Sequence, residues 1–557
     1  MERTGARIIA ALLERQGTEV LAGIPGGANL PLYDALYASG IRHVLARHEQ
    51  GAGFIAQGLA RATGRAGVCL ASSGPGATNL VTALADAMSD SIPLVAITGQ
   101  VPTSLLGTNA FQEVDTVGIT RPITKKSFFV RSAAELLTVI PAAFSLAESG
   151  RPGPVLVDVP KDVQTQTISV EAFPEPGRAA PRPGAEVAAA AEIAALIARA
   201  ERPILYIGGG VIASGASGEV AALARRADLF VTSSLQGLGA FPAEDPLFLG
   251  MLGMHAAPYT HHALDEADLV VAIGARFDDR ATGKPSEFCP RATLVHVDVD
   301  AREIGKIKPV HRGVVADAGS FLRALLPHVR PARRPAWRAR VETLRAQHPL
   351  ALDAGGVVTL LRALAQRLPA TTIVTTDVGQ HQMWVAQAYP FTEPRTLLTS
   401  GGLGTMGFGV PAAIGAALAR PGERVVCITG DGSLLMNLQE LATLAELELP
   451  VTVIILNNGH LGLVRQQQEL FYGERYHACR FHAEPDFPAI ARGFGIPAFD
   501  LPPARDQTWD LARLDRALSA TGPVLVNVPI APMAKVLPMV PPGAANRDMV
   551  VGARSVP

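Results

Sequence analysis

The stretch Val425–Met436 reads VVCITGDGSLLM. Its first four residues, Val425 to Ile428, are apolar without alternation, as in a strand covered on both faces of a parallel sheet. The chain then turns at Gly430-Asp431-Gly432, and apolar helix material follows from Leu434. A bare carboxylate between two glycines stands at the carboxyl end of a core strand, where open α/β sheets bind their ligands. One such turn is also compatible with a simple tight connection. The next strand raises its weight. VTVIILNNG ends at Asn457-Asn458, with 24 residues between Gly432 and Asn457. Between them, Leu438, Leu441 and Leu444 mark one side of a helix. Two neighbouring strand ends then aim Asp431 and Asn458 at one point. A carboxylate and an amide oxygen are hard donors that suit Mg²⁺, which shares its coordination with waters and phosphates. Gly430 and Gly432 let backbone approach a diphosphate beside Ser433, and a helix N-terminus favours the anion. The unit predicts a Mg-diphosphate site.

Outward from this stretch the same grammar repeats. AGVCLASSGPG, GPVLVDVP, RPILYIGGG, ADLVVAIGAR, TLVHVDVD and TIVTTDVG are apolar runs ending in Gly, Pro, Asp or Arg. They alternate with helical patterns, which predicts an α/β chain of doubly wound parallel sheets. A chain of 557 residues suggests about three or four domains at roughly 100–200 residues each. Glu171–Glu186 is rich in Pro and Gly and reads as a linker, and the basic segment Arg330–Pro349 marks a second boundary. The expected domains are 1–170, 187–330 and 350–557. A net charge of −1 leaves no electrostatic footprint for nucleic acid or an acidic membrane. No uncharged apolar run approaches the ~18 residues of a membrane span. The N-terminal stretch is an amphipathic helix rather than a signal peptide. Cys69, Cys289, Cys427 and Cys479 are scattered, which suits a reduced, cytoplasmic protein.

A second glycine loop, YIGGGVIASG, follows the strand PILY, and Gly208, Gly210 and Ala213 fit the dinucleotide spacing. The pattern requires an acid about 20 residues on at a strand end. Asp228 has the distance but precedes its strand, so a tight turn fits the spacing as well. No phosphate-binding P-loop is present in the sequence.

The GDG–NN pair, with strand, helix and spacing in agreement, resembles the thiamine diphosphate enzymes. The resemblance implies a metal held by Asp431, Asn458 and the carbonyl of His460. It also implies a buried glutamate against the cofactor's aminopyrimidine ring, and RHEQGA supplies Glu49. Alone, a glutamate beside Arg47 and His48 would read as a surface ion pair. Separated motifs over nearly the whole chain are similar to the acetohydroxyacid (acetolactate) synthase large subunits, isozyme I type. Among them are GIPGGANLPLYDAL, SSGPGATNLVTALADA, AFQEVD, LGMLGMH, GARFDDR, TTDVGQHQMW and TSGGLGTMGFGVPAAIGAAL.

By motif, the resemblance places Gln100 and Gly26 at the reaction centre and Phe111 and Lys125 at a substrate entrance shared across subunits. Gln380 and His381 lie near the diphosphate, and Met406 is the apolar wedge under the cofactor. Arg276 meets both a flavin and the second substrate. FAD is implied in the middle domain, against Arg151, Gly208, Gly209, Gly210, His255, Arg276, Asp298 and Asp317. The implied reaction decarboxylates pyruvate and adds the two-carbon unit to a second pyruvate or to 2-oxobutyrate, the first step toward branched-chain amino acids. A homodimer or dimer of dimers and a small regulatory subunit are the implied partners. Three positions depart from the usual pattern: Asn109-Ala110 before FQEVD, Lys126 after Thr124-Lys125, and Gln467 where many members carry Trp. Gln467 bears on the choice of second substrate, although among Gln466 and Gln468 it also reads as a solvent-facing helix residue. Two alternatives stand beside this reading. One is another thiamine-dependent carboligase or oxidase; the other is a non-catalytic flavin- or nucleotide-binding protein.

Overall fold

The computed structural model describes residues 1–352, 356–504 and 508–552. The continuous apolar runs are strands: every residue of Gly67–Ala71, Pro203–Ile207 and Val425–Gly430 is buried. They assemble into three six-stranded sheets, and a two-stranded ribbon pairs Glu2–Thr4 with Thr167–Ser169. The pairings within the three large sheets are parallel, which explains why their sequences do not alternate.

The first sheet runs Arg42–Leu45, Val20–Gly23, Gly67–Ala71, Leu94–Gln100, Pro154–Pro160, Lys126–Phe129. The third runs Leu397–Leu398, Ile373–Thr376, Val425–Gly430, Val451–Asn457, Val524–Pro529, Ala498–Asp500. Counted along each domain, both orders are 2-1-3-4-6-5. The middle sheet runs Phe248–Met251, Phe230–Ser233, Pro203–Ile207, Leu269–Ile273, Thr293–Asp298, Arg312–Val315, which is 3-2-1-4-5-6. That is the dinucleotide-binding order. In each sheet the order reverses beside the first strand, and the crevice there is where a ligand binds. The two glycine loops predicted from sequence, after Pro203–Ile207 and Val425–Gly430, both lie at these reversals.

The first and third domains meet through helices Glu49–Thr63 and Gly409–Ala419. A β-carbon on Gly58 would lie 2.2 Å from the Ala412 carbonyl oxygen, and one on Gly415 would lie 2.0 Å from that of Ile55. The two helices therefore touch backbone to backbone. Phe54 and Phe408 close the same seam edge-on at 5.3 Å.

Residues 171–186 contain no helix or strand, as a linker should. The second boundary segment is more ordered than its composition suggests. Pro335–Gln347 is a helix on the middle domain, with Trp337 edge-on to Phe230 at 6.1 Å. Asp228 accepts from Arg334 N at 2.6 Å and pairs with Arg338. That acid holds a helix rather than a nucleotide. After the third sheet the chain returns to the middle domain: Val540 N donates to Met254 O at 3.0 Å and Lys284 N to Ala544 O at 2.9 Å. Among the described residues no helix is long and apolar enough to cross a membrane.

Candidate active site

At the reversal in the third sheet, Asp431 follows one strand and Asn458 the next. Asp431 is 4% exposed, and its carboxylate receives backbone N–H groups, from Gly432 at 2.9 Å and His460 at 3.2 Å. Asn458 Oδ1 accepts from the same His460 N–H at 3.1 Å. The two oxygens therefore converge. Burial without a cationic partner pushes the Asp431 carboxyl up to about 6. A buried acid facing an amide oxygen, with no positive charge supplied by the protein, fits a divalent cation. The His460 ring bonds back to the Asn458 carbonyl at 2.8 Å.

The loop after the first strand of this sheet supplies the neighbouring groups. Gly379 takes φ +152°, and a β-carbon on Gly430 would meet His381 Nδ1 at 2.8 Å. His381 is buried, its imidazole is held neutral with a pKa lowered to about 3 by desolvation, and its Nε2 has no hydrogen-bond partner among the described residues. An anion beside that ring would favour the protonated, donating form. Ser433 Oγ donates to Val378 O at 2.6 Å and so ties the two loops together. A β-carbon on Gly432 would press on Leu461 at 2.6 Å. Gln380 lies behind Asn458 and accepts from its Nδ2 at 3.0 Å. Met406 is half-buried on the loop before Gly409–Ala419. Gln467 is half-buried and makes no side-chain hydrogen bond among the described residues.

The first sheet's reversal gathers Gly26, Ser72 and Glu49. A β-carbon on Gly26 would lie 2.5 Å from Ser72, and one on Gly76 would lie 3.3 Å from Glu49 Oε1. Glu49 opens its helix, is half-buried, and accepts from Asn79 Nδ2 at 2.9 Å. No hydrogen bond within the chain joins Glu49 to the Asp431 group among the described residues. Gln100 ends its strand and donates to Asp158 at 3.1 Å and Val114 O at 2.9 Å. The Gln100 and Asp158 side chains line a cavity of about 340 Å³ with Leu106, Val114 and Asp115. Lys125 Nζ donates to Leu146 O at 2.5 Å and Ser149 O at 2.6 Å, closing the end of helix Leu136–Glu148. Burial lowers its ammonium to about 8. Phe111 is 88% exposed on a loop whose Asn109 and Gln112 have φ near +60°.

In the middle domain, β-carbons on Gly208 and Gly210 would strike Gly274 at 2.3 and 2.6 Å, so the loops at the reversal pack backbone to backbone. Gly209 faces Gln236. Arg276 follows on the opposite loop, and its guanidinium has no hydrogen-bond or ion-pair partner among the described residues. Asp298 ends its strand 8% exposed, and its pKa is raised to about 6 by burial. This arrangement fits a dinucleotide with an anionic bridge. Other expected flavin residues already have partners. Arg151 pairs with Glu303 at 2.8 Å, and Asp317 caps helix Ala318–Leu325 and pairs with Arg182 at 3.1 Å. The buried His255 bonds the Pro538 carbonyl at 2.8 Å.

Four groups near these sites escaped sequence reasoning: Asn79, Asp158, Asp377 and Glu440. Asp377 is buried and accepts from Gly407 N at 2.7 Å and Gly409 N at 3.2 Å, which fixes the Met406 loop. Its position at a strand end, in TTDVGQ, was a usable signal. Glu440 accepts from Arg47 N at 2.9 Å and His48 N at 3.0 Å, just before Glu49; nothing local announced it.

Comparison with known proteins agrees with this layout. Residues 3–119 match the thiamine pyrophosphate enzyme N-terminal TPP binding domain, 190–325 the central domain, and 377–528 the C-terminal TPP binding domain. The chain is 52% identical to the acetolactate synthase isozyme 1 large subunit of Escherichia coli (strain K12), over 98% of this chain and 97% of that one. It is 47% identical to the isozyme 2 large subunit of the same organism, over 98% and 99%. It is also 44% identical to acetolactate synthase 1, chloroplastic, of Oryza sativa subsp. japonica, over 99% and 88%. With three matched domains and relatives that span its length, the chain belongs to the acetolactate synthase large-subunit family of thiamine pyrophosphate enzymes.

Proposed function

We propose that this protein makes acetolactate from two molecules of pyruvate, releasing carbon dioxide, and accepts 2-oxobutyrate less readily as the second substrate. The observation that carries the reading is the convergence of Asp431 and Asn458 oxygens at a sheet reversal, in a chain of this family. Asp431, Asn458 and the His460 carbonyl would hold Mg²⁺. His381, Gly430 and Gly432 would receive the diphosphate, and Met406 would support the rings. Bound there, thiamine diphosphate supplies the electron sink that decarboxylation of a 2-oxoacid needs.

The chain's own groups then divide the work. Glu49, oriented by Asn79, holds a proton against the aminopyrimidine ring. Gln100, fixed by Asp158, lines the reaction centre with Gly26. The exposed Phe111 loop serves the partner subunit's site, since Glu49 and Asp431 belong to separate domains without a bond between them. FAD would occupy the middle-domain reversal as a structural group, with Arg276 free for an anion of flavin or substrate. A small regulatory subunit completes the expected assembly. The test is acetolactate formation from pyruvate by the purified chain, with no electron acceptor added. Product that depends on both thiamine diphosphate and Mg²⁺ is expected. Its absence with both present, or a need for an acceptor, would sink the reading.

A further inference from the structure

An asparagine offers a metal an oxygen on one side and an NH₂ group on the other, and only the oxygen binds. Hydrogen bonds decide which way it faces. Turned the other way, Asn458 would set its NH₂ beside the Asp431 carboxylate in a charge-assisted hydrogen bond, giving up only the bond that Oδ1 accepts from His460 N–H at 3.1 Å. The site would then close on itself. The structure holds the opposite orientation. Asn458 Nδ2 donates to Gln380 Oε1 at 3.0 Å, while Oδ1 shares the His460 N–H with the Asp431 carboxylate.

Gln380 is fixed in turn. Its Nε2 donates to Ala534 O at 2.7 Å and to Gln466 Oε1 at 2.9 Å. Gln466 Oε1 accepts from Val536 N at 2.8 Å, and its Nε2 donates to Val536 O at 2.8 Å. Backbone groups cannot exchange donor for acceptor, so the chain of three amides has a single self-consistent orientation. Asn458, Gln380 and Gln466 are 8%, 4% and 0% exposed, so water does not compete.

We propose that Gln380 and Gln466 are positioning residues that keep Asn458 oxygen-forward, with backbone at Ala534 and Val536 as their template. The inference rests on reading Asp431 and Asn458 as the metal pair. It assigns the Gln380 side chain to the metal ligand rather than to the diphosphate. A role in orientation makes a demand that a packing role does not. In Asn458→Asp both side-chain oxygens are equivalent, so nothing remains to be oriented, and Gln380 Oε1 faces a carboxylate it cannot satisfy.

The test is titration of the full chain with Mn²⁺ at fixed thiamine diphosphate, following free Mn²⁺ by its paramagnetic resonance signal, with melting of the metal-free protein as the folding control. Gln380→Ala is expected to weaken Mn²⁺ binding about 10–100-fold, the usual effect of losing a group that orients a ligand. In the Asn458→Asp background the same substitution should cause no loss. Unchanged affinity in Gln380→Ala, or an equal loss in both backgrounds, overturns the proposal. Failure of the wild-type chain to bind Mn²⁺ with thiamine diphosphate overturns the metal site itself. If Gln380→Ala does not fold, Gln466→Ala carries the test: a smaller loss of the same sign, absent in the Asn458→Asp background, is expected, and no loss refutes the role.

Discussion

Glu49 is half-buried and, among the described residues, receives one side-chain hydrogen bond, from Asn79. Glu49→Gln keeps the shape but cannot hold a proton against the pyrimidine ring. Turnover should fall by roughly 10²–10⁴-fold, the usual worth of a general acid–base group. Thiamine diphosphate binding, measured by calorimetry, should persist because Asp431 is untouched. Asp431 gives a pH dependence. Its carboxyl is raised from 3.8 to about 6 by burial, and only the ionised form binds a metal. Apparent Mg²⁺ affinity should therefore rise with pH up to about 6 and then level; a flat profile from pH 5 to 7 would contradict it. In the metal-free chain the same shift acts oppositely on folding. Between about pH 4 and 6 the folded state keeps a proton that the unfolded state has lost, so stability falls as pH rises. As the proposed wall of the acceptor pocket, Gln467 would offer little apolar area to the extra methylene of 2-oxobutyrate, a group worth ≈ 0.8 kcal/mol when buried. In competition between the two oxoacids, Gln467→Trp should shift product toward the 2-oxobutyrate adduct, up to roughly 10–200-fold. No shift would clear this position of any role in selectivity. At this scale the sequence singles out Asp431, Asn458 and Glu49 as candidates because each sits in a local pattern. Asn79 and Asp158 stayed hidden because their partners, Glu49 and Gln100, lie 30 and 58 residues away.

Among elements, the pair Glu49–Thr63 and Gly409–Ala419 shows what small residues do. The residues after Glu49 are small, which permits close packing without saying which helix would pack there. Gly58→Ala drives a β-carbon toward a carbonyl oxygen at 2.2 Å, so the helices must part. Overpacking of this kind typically costs 1–3 kcal/mol. The expected result is a lower urea midpoint than for Gly218→Ala, where a β-carbon meets nothing within 4 Å. Equal midpoints would show that the seam yields. Strands were legible as apolar runs, and their ends were legible from Gly and Asp. The helix expected to follow Gly432 is in fact two, Asp431–Leu434 and Glu440–Glu446. Asn437 between them donates to Gly407 O at 2.8 Å. That tertiary bond interrupts a pattern whose leucines alone read as continuous.

At the scale of the whole molecule, the α/β class was legible from the repeated strand and helix pattern, while the strand orders were not, because order depends on pairings between distant segments. The matching 2-1-3-4-6-5 orders set Glu49 and Asp431 at corresponding ends of the two outer domains. Each chain carries both groups without joining them, and it exposes Phe111 at 88%, Met436 at 53% and Leu45 at 41%. Apolar surface of this kind suits a large obligate interface. Sedimentation under assay conditions should give a dimer or a larger assembly, and activity confined to a monomer would refute the shared site.

The return of the chain to the middle domain has a consequence in time. His255 waits for the Pro538 carbonyl, 283 residues later. At ~5–20 residues per second of synthesis, that interval is on the order of 15–60 s. Throughout it the nascent middle domain holds a polar ring that its finished form buries, and the Met254 and Lys284 backbones lack their partners. The middle domain is thus made second and completed last. Its open period on the ribosome ends only when the segment that also bonds Gln380 and Gln466 through Ala534 and Val536 has emerged.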